Sequence, residues 1–254
     1  MSAPEAGLLG YTHFMRPTHF SGSFPLFRLF GIQVYLHWSW FVVVALLVQI
    51  RVNHTEGLSV IEAFSQFVTL FGIVLMHEFG HALACRSVGG EADTIVLWPL
   101  GGVAFVKPPP RPGPVLWSIA AGPLVNVFLV PVTLCISIWF DGSWDPLDST
   151  WAMLFWMNLG LLIFNMLPIY PLDGGQILQA LLWFVLGRAT SLRISAWIGL
   201  IAAGAIAMMA LYLQDQWLFI MTLFIGWQAW KGLRVARFLA LQEKVGQGYW
   251  PSPH

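Results

Sequence analysis

Residues 61–85 read IEAFSQFVTLFGIVLMHEFGHALAC. The stretch is long and apolar enough for one membrane-crossing helix, which needs about 20 residues. Its second half nevertheless carries His77, Glu78 and His81, and Glu62 sits at its rim. An ionisable group at lipid depth is costly and is a functional candidate by default. Three such groups within five residues have no packing rationale. On a helix, positions i and i+4 share a face, so both imidazoles of His77-Glu78-Phe79-Gly80-His81 can reach one metal ion. Glu78 lies beside them and can take a proton from a water on that ion.

The rest of the chain agrees with a membrane setting. Of 254 residues, 57% are apolar and only 9% are charged, against about 25% charged in soluble domains. The mean hydropathy is +0.72. This composition excludes a disordered chain, a collagen-like fibre and a disulfide scaffold, and argues against an ordinary soluble enzyme. Twelve basic residues balance twelve acidic ones, so nothing points to nucleic acid. Cys85 and Cys135 both lie in apolar runs and read as small helix residues.

The expected fold is an all-α polytopic membrane protein with about six transmembrane helices. The spans are read as Ile32–Ile50, Ile61–Cys85, Val115–Phe140, a fourth from Trp151 that breaks near Pro168–Gly175 and resumes to Gly187, Ile194–Leu213, and Trp217–Gly232. With both termini inside, the inner face collects Arg16, Arg28, Arg86, Lys107, Arg111, Arg188, Arg193, Lys231, Arg234, Arg237 and Lys244, and the outer face only Arg51. That bias follows the positive-inside rule. Asp141, Asp145 and Asp148 make the loop after span three acidic. The expected organisation is a cytoplasmic segment 1–30, a membrane-embedded domain 31–232 with its core at 61–187, and a cytoplasmic tail 233–254. The first 30 residues, with Pro4, Pro17 and Pro25, do not read as a cleavable signal peptide. No internal repeat is visible. The inner loop holds two β-like runs, Asp93–Trp98 and Val103–Lys107, predicting a small hairpin or sheet within 90–110, and a stiff proline-rich piece follows at Pro108–Pro114.

Nine residues separate His77 from Arg86, which puts the histidines about 13 Å inside the helix end at 1.5 Å per residue. A metal there needs a third protein ligand at similar depth and one open position for water. The acidic candidate is Asp173, in Asn165-Met166-Leu167-Pro168-Ile169-Tyr170-Pro171-Leu172-Asp173-Gly174-Gly175. Two prolines and two glycines break the helix, and non-helical backbone at this depth is tolerated only against protein or a wet cavity. His37 in span one reads as a packing residue or a support for a ligand. Cys85, four residues past His81, is on the ligand face but is not needed beside Asp173.

These residues resemble the site-2 protease family of intramembrane zinc metalloproteases. The resemblance rests on H-E-F-G-H at 77–81 and N-x-x-P-x-x-P-L-D-G-G at 165–175, on separate spans and in this order. Pro99-Leu100-Gly101-Gly102-Val103, Ala121-Gly122-Pro123-Leu124-Val125-Asn126 and His37-Trp38-Ser39 agree with it. It implies one Zn2+ per chain held by His77, His81 and Asp173, with Glu78 as general base and Asn165 helping to hold the substrate or the developing oxyanion. Asn126 either supports the site or bonds across helices. An edge strand at Val103, Ala104 and Phe105 is implied to receive the unwound substrate. The implied form is a minimal one, without PDZ or CBS domains, so that control falls to a partner protein or to prior trimming of the substrate. The partners implied are single-span membrane substrates and membrane lipid. The implied location is a prokaryotic inner membrane, with the active site toward the cytoplasm.

The resulting expectation is a metalloendopeptidase cleaving in or near transmembrane helices of membrane-bound regulatory proteins. Two other readings stand against it. A zinc-bound membrane protein that only sequesters single-span partners has no need of Glu78. A metal transporter fits the broken span but calls for paired, repeated halves.

Overall fold

Ser59 starts the long metal-motif helix. Its hydroxyl accepts from Glu62 N at 3.2 Å, and its own N–H donates to Glu62 Oε2 at 2.9 Å. This reciprocal capping box satisfies two otherwise orphaned helix donors. It also explains Glu62, which is exposed and structural rather than part of a site.

The computed structural model describes residues 22–55, 57–98, 101–142 and 150–248. In chain order the elements are β1 (Ser23–Leu29), β2 (Ile32–His37), α1 (Ser39–His54), α2 (Val60–Ser87), β3 (Glu91–Trp98), β4 (Gly101–Lys107), α3 (Pro112–Asp141), α4 (Thr150–Met166), α5 (Asp173–Leu186), α6 (Arg188–Leu213) and α7 (Gln216–Gly248). Three helices, α2, α3 over Pro112–Phe140 and α6, are long and apolar enough to cross a membrane. Helices α1 and α4 are shorter and apolar.

The fold is not all-helical. The expected pair of strands at 90–110 forms as β3 and β4, but it is half of a four-stranded sheet of order β1-β2-β3-β4. β1 and β2 form an antiparallel hairpin, β2 runs parallel to β3, and β3 is antiparallel to β4. The parallel step needs a long crossover, and α1 with α2 supplies it. Pro25 is accommodated because β1 is an edge strand whose register shifts between Pro25 and Phe27.

Two expected boundaries are corrected. The first span does not begin at Ile32: residues 32–37 alternate, with Ile32, Val34 and Leu36 buried and Gln33, Tyr35 and His37 half-buried. That period of two belongs to a strand, and the helix starts only at Ser39. The buried set packs with Ile95 and Leu97 of β3 onto Phe79, Ala82 and Cys85 of α2. The sheet therefore braces the half of α2 that carries the motif. At the other end, the helix of the last span runs on past Gly232. α7 continues to Gly248, with Leu233 and Ala236 buried one turn apart. Residues 1–21, Pro99-Leu100, Asp145 and Asp148, and Pro251 and Pro253 lie outside the described residues.

The break in the fourth span is where it was expected. α4 ends at Met166 and α5 begins at Asp173. Inside α3, Pro123 lacks the N–H that would bond the carbonyl of Ile119, which loosens the helix ladder opposite α2.

Candidate active site

His77 and His81 lie one above the other on α2, and Asp173 is the first residue of α5. All three are buried. His77 Nε2 and His81 Nε2 are 3.0 Å apart, and Asp173 Oδ2 lies 3.0 Å from the first and 3.4 Å from the second. The two rings meet edge to face, at 84°.

The other ring nitrogens determine what these atoms are. His77 Nδ1 bonds Asn126 Oδ1, and His81 Nδ1 bonds the Ser118 carbonyl at 2.9 Å. Asn126 Nδ2 donates to Asn158 Oδ1 at 2.7 Å, which assigns Oδ1 of Asn126 as the acceptor. Both partners of the histidines are therefore acceptors, so each Nδ1 carries the proton and each Nε2 presents a lone pair. Asp173 Oδ2 is buried without a hydrogen-bond partner. Three electron-pair donors thus converge on one point. Ligands bonded at about 2.0–2.1 Å to a small tetrahedral ion stand about 3.3 Å apart, close to the observed spacing. The donor set fits one metal ion, and among the described residues it is the one group of three or more such side chains that can hold one.

Glu78 is buried beside this cluster, and Ala104 N of β4 donates to its Oε2 at 2.8 Å. β4 is an edge strand of the sheet, and this N–H is given to Glu78. Backbone approaches the His81 and Glu78 side chains closely at Gly122 and Gly102. A Cβ at Gly122 of α3 would collide with the His81 ring, and one at Gly102 of β4 would collide with the Glu78 side chain. Both positions need glycine for that reason, which accounts for Gly122 and Gly102 in the motifs around them.

Of the remaining candidates, Asn126 both holds His77 and bonds across helices, to Asn158 of α4. Asn158 is fully buried, and its Nδ2 returns a bond to Asn126 O at 3.3 Å. Sequence reasoning missed it, although an asparagine inside an apolar run was the available signal. Asn165 is half-buried near the end of α4, and no contact among the described residues joins it to the cluster. On β4, Ala104 meets the site through its backbone, whereas the Val103 and Phe105 side chains are about half exposed. His37 is outside the cluster: it ends β2, bonds Ser39 Oγ and stacks on Trp98 with centroids 4.3 Å apart. Cys85 is also outside it, packed in the sheet–α2 core with its thiol toward Glu91 O at 3.5 Å.

Comparison with known proteins agrees with this geometry. The model of peptidase family M50 matches residues 143–211. A zinc metalloprotease of Methanocaldococcus jannaschii is 32% identical over 216 residues, 84% of this chain and 61% of its own length. The solved site-2 protease from Methanocaldococcus jannaschii superposes with a TM-score of 0.63 at 29% identity, covering 83% of this chain and 95% of that one. Stage IV sporulation protein FB of Bacillus subtilis is 33% identical over 109 residues, 42% of this chain and 36% of its own. In sequence and fold the chain is similar to the site-2 proteases of peptidase family M50. It spans 61% of the length of the first of these curated relatives.

Proposed function

We propose that this chain is an intramembrane zinc endopeptidase that hydrolyses peptide bonds in or near transmembrane helices of membrane-bound regulatory proteins. The observation that carries the reading is the convergence of His77 Nε2, His81 Nε2 and Asp173 Oδ2, with the Glu78 carboxylate alongside. In this reading those three residues hold Zn2+, which when bound lowers the pKa of water and polarises the scissile carbonyl.

The protein's own groups do the rest. Asn126 and the Ser118 carbonyl hold each imidazole in the tautomer and orientation that ligation needs. Glu78 accepts the proton of the attacking water and returns it to the leaving amine. Before substrate arrives, the Ala104 N–H holds the Glu78 carboxylate in place. Asn165 donates its amide hydrogens to the charge that develops on the substrate oxygen. The free edge of β4 around Val103, Ala104 and Phe105 receives the unwound substrate as an added strand.

The same reading takes six spans, with α4 and α5 as one interrupted crossing and the sheet on the basic side. Eleven of the twelve Lys and Arg fall on that side under this arrangement, with Arg51 alone opposite. It assigns 31–232 as the membrane-embedded protease domain, in a prokaryotic inner membrane with its site toward the cytoplasm.

The test pairs metal content with cleavage of a single-span substrate, for wild type and Glu78→Gln. About one zinc in each protein with cutting by wild type alone is the expected result. Zinc in both with cutting by both would remove Glu78 from the mechanism. Zinc in both with cutting by neither would favour a sequestering role.

A further inference from the structure

α7 is 33 residues long, or about 50 Å at 1.5 Å per residue. That exceeds the roughly 30 Å hydrocarbon core. Its C-terminal part lies beside the N-terminal part of α6, and between them runs a groove of about 330 Å³. Three helical pairs at i,i+4 spacing build it: Ala189 with Arg193 on α6, and Ala236 with Ala240 and Arg237 with Leu241 on α7. The alanines leave the concavity. Arg193 and Arg237 are exposed along it.

Three neighbouring cations are already engaged by aromatic rings. Arg188 lies 5.3 Å from the Trp183 ring centroid, Lys231 lies 3.5 Å from that of Trp227, and Arg234 lies 3.9 Å from that of Trp230. Such tryptophan–cation pairs belong at the membrane–water boundary. Among the described residues, no ion pair and no cation–π contact engages Arg193 or Arg237. No side chain caps the N-terminus of α6, so the positive end of that helix adds to the same mouth. The surface around the groove is apolar and open, with Trp197, Phe238 and Leu241 more than half exposed.

We propose that this groove binds an anionic phospholipid, its phosphate on Arg193 and Arg237 and an acyl chain along the alanine floor. Two guanidiniums without carboxylate partners at a membrane interface attract an anionic headgroup, and an apolar trough beside them suits a lipid tail. A volume near the lower end of ligand pockets, about 300–1,000 Å³, suits part of one chain rather than a protein element. The inference rests on the membrane reading of α6 and α7 and not on the chemistry at Asp173, so a failed cleavage assay would leave it standing.

The test is native mass spectrometry of the full chain in detergent, with phosphatidylglycerol or phosphatidylcholine added. Wild type is expected to retain phosphatidylglycerol about tenfold better or more, since each nearby cation contributes to anionic-lipid binding. Arg193→Gln/Arg237→Gln should lose that preference. Ala240→Trp should lose retention by filling the groove with the charges intact, and Arg234→Gln should behave as wild type. Lipid-induced shifts in the thermal transition provide a second readout on each variant that folds. Equal retention of the two lipids, or unchanged preference in both groove variants, would overturn the proposal. So would equally strong competition by glycerophosphoglycerol, which has the headgroup and no tails.

Discussion

Two helix assemblies share this molecule and solve burial in opposite ways. Where α2, α3, α4 and α5 meet, the interior is polar: His77, Glu78, His81, Asn126, Asn158 and Asp173 are all buried. Where α6 and α7 meet, the interior is made of small residues, among them Ser195, Ala196, Gly199, Ala203, Ala229 and Ala236. The first assembly tolerates buried polarity because nearly every group has a named partner, and the exceptions mark the metal-binding point. The second brings helices close through small side chains, as membrane helices do when packing is the main attraction. Chemistry is concentrated in one assembly, and the other presents charge only at its end.

The largest expected effect tests whether the polar assembly is a metal centre. His77→Ala, His81→Ala or Asp173→Ala should each abolish metal retention and cleavage, read by elemental analysis and a substrate gel. Chelation of wild type should do the same, and added zinc should restore cutting. Retained metal in Asp173→Ala would break the three-ligand assignment. Next, Glu78→Gln should keep the metal while cleavage falls by about 10²–10⁴, the usual share of a general acid–base group.

A smaller effect sharpens the role of the asparagines. Asn126→Ala should weaken metal affinity or activity by about 10–100-fold, as loss of a ligand's hydrogen-bond partner does. Asn158→Ala acts one bond further out and should move the same quantity less. Equal effects would mean that the pair holds helices together rather than aiming His77. In the other assembly, Ala203→Leu should cost about 1–3 kcal/mol by overpacking, with cleavage per folded molecule unchanged. The least effect is Glu62→Ala at the rim of α2. Losing half of a capping box should lower the thermal transition slightly and leave metal content and cleavage alone.

Much of the polar assembly was legible because its residues are expensive where they stand. His77, Glu78 and His81 share one helix turn, and Asp173 follows a proline-marked break, so spacing alone brings them to attention. β3 and β4 were legible as short runs around glycines. The strand β2 was hidden because its alternating Ile32, Val34 and Leu36 run directly into the apolar α1, and a span reading absorbs them. Glu62 looked functional because a cap needs the Ser59 partner to be read with it. Asn158 was overlooked because its meaning depends on Asn126 from another helix, and no local pattern joins them. The groove between α6 and α7 depends on the helical continuation past Gly232, where Arg234, Arg237, Glu243 and Lys244 interrupt the apolar stripe.

The bond from Ala104 to Glu78 makes one hydrogen atom do the work of a latch. A peptide pairing with β4 at this position needs that same amide hydrogen for its own carbonyl. Occupancy of the strand edge and restraint of the carboxylate are then mutually exclusive states. Under the strand-addition reading proposed above, an empty edge keeps Glu78 held, and a filled one releases it within reach of the peptide that has just arrived.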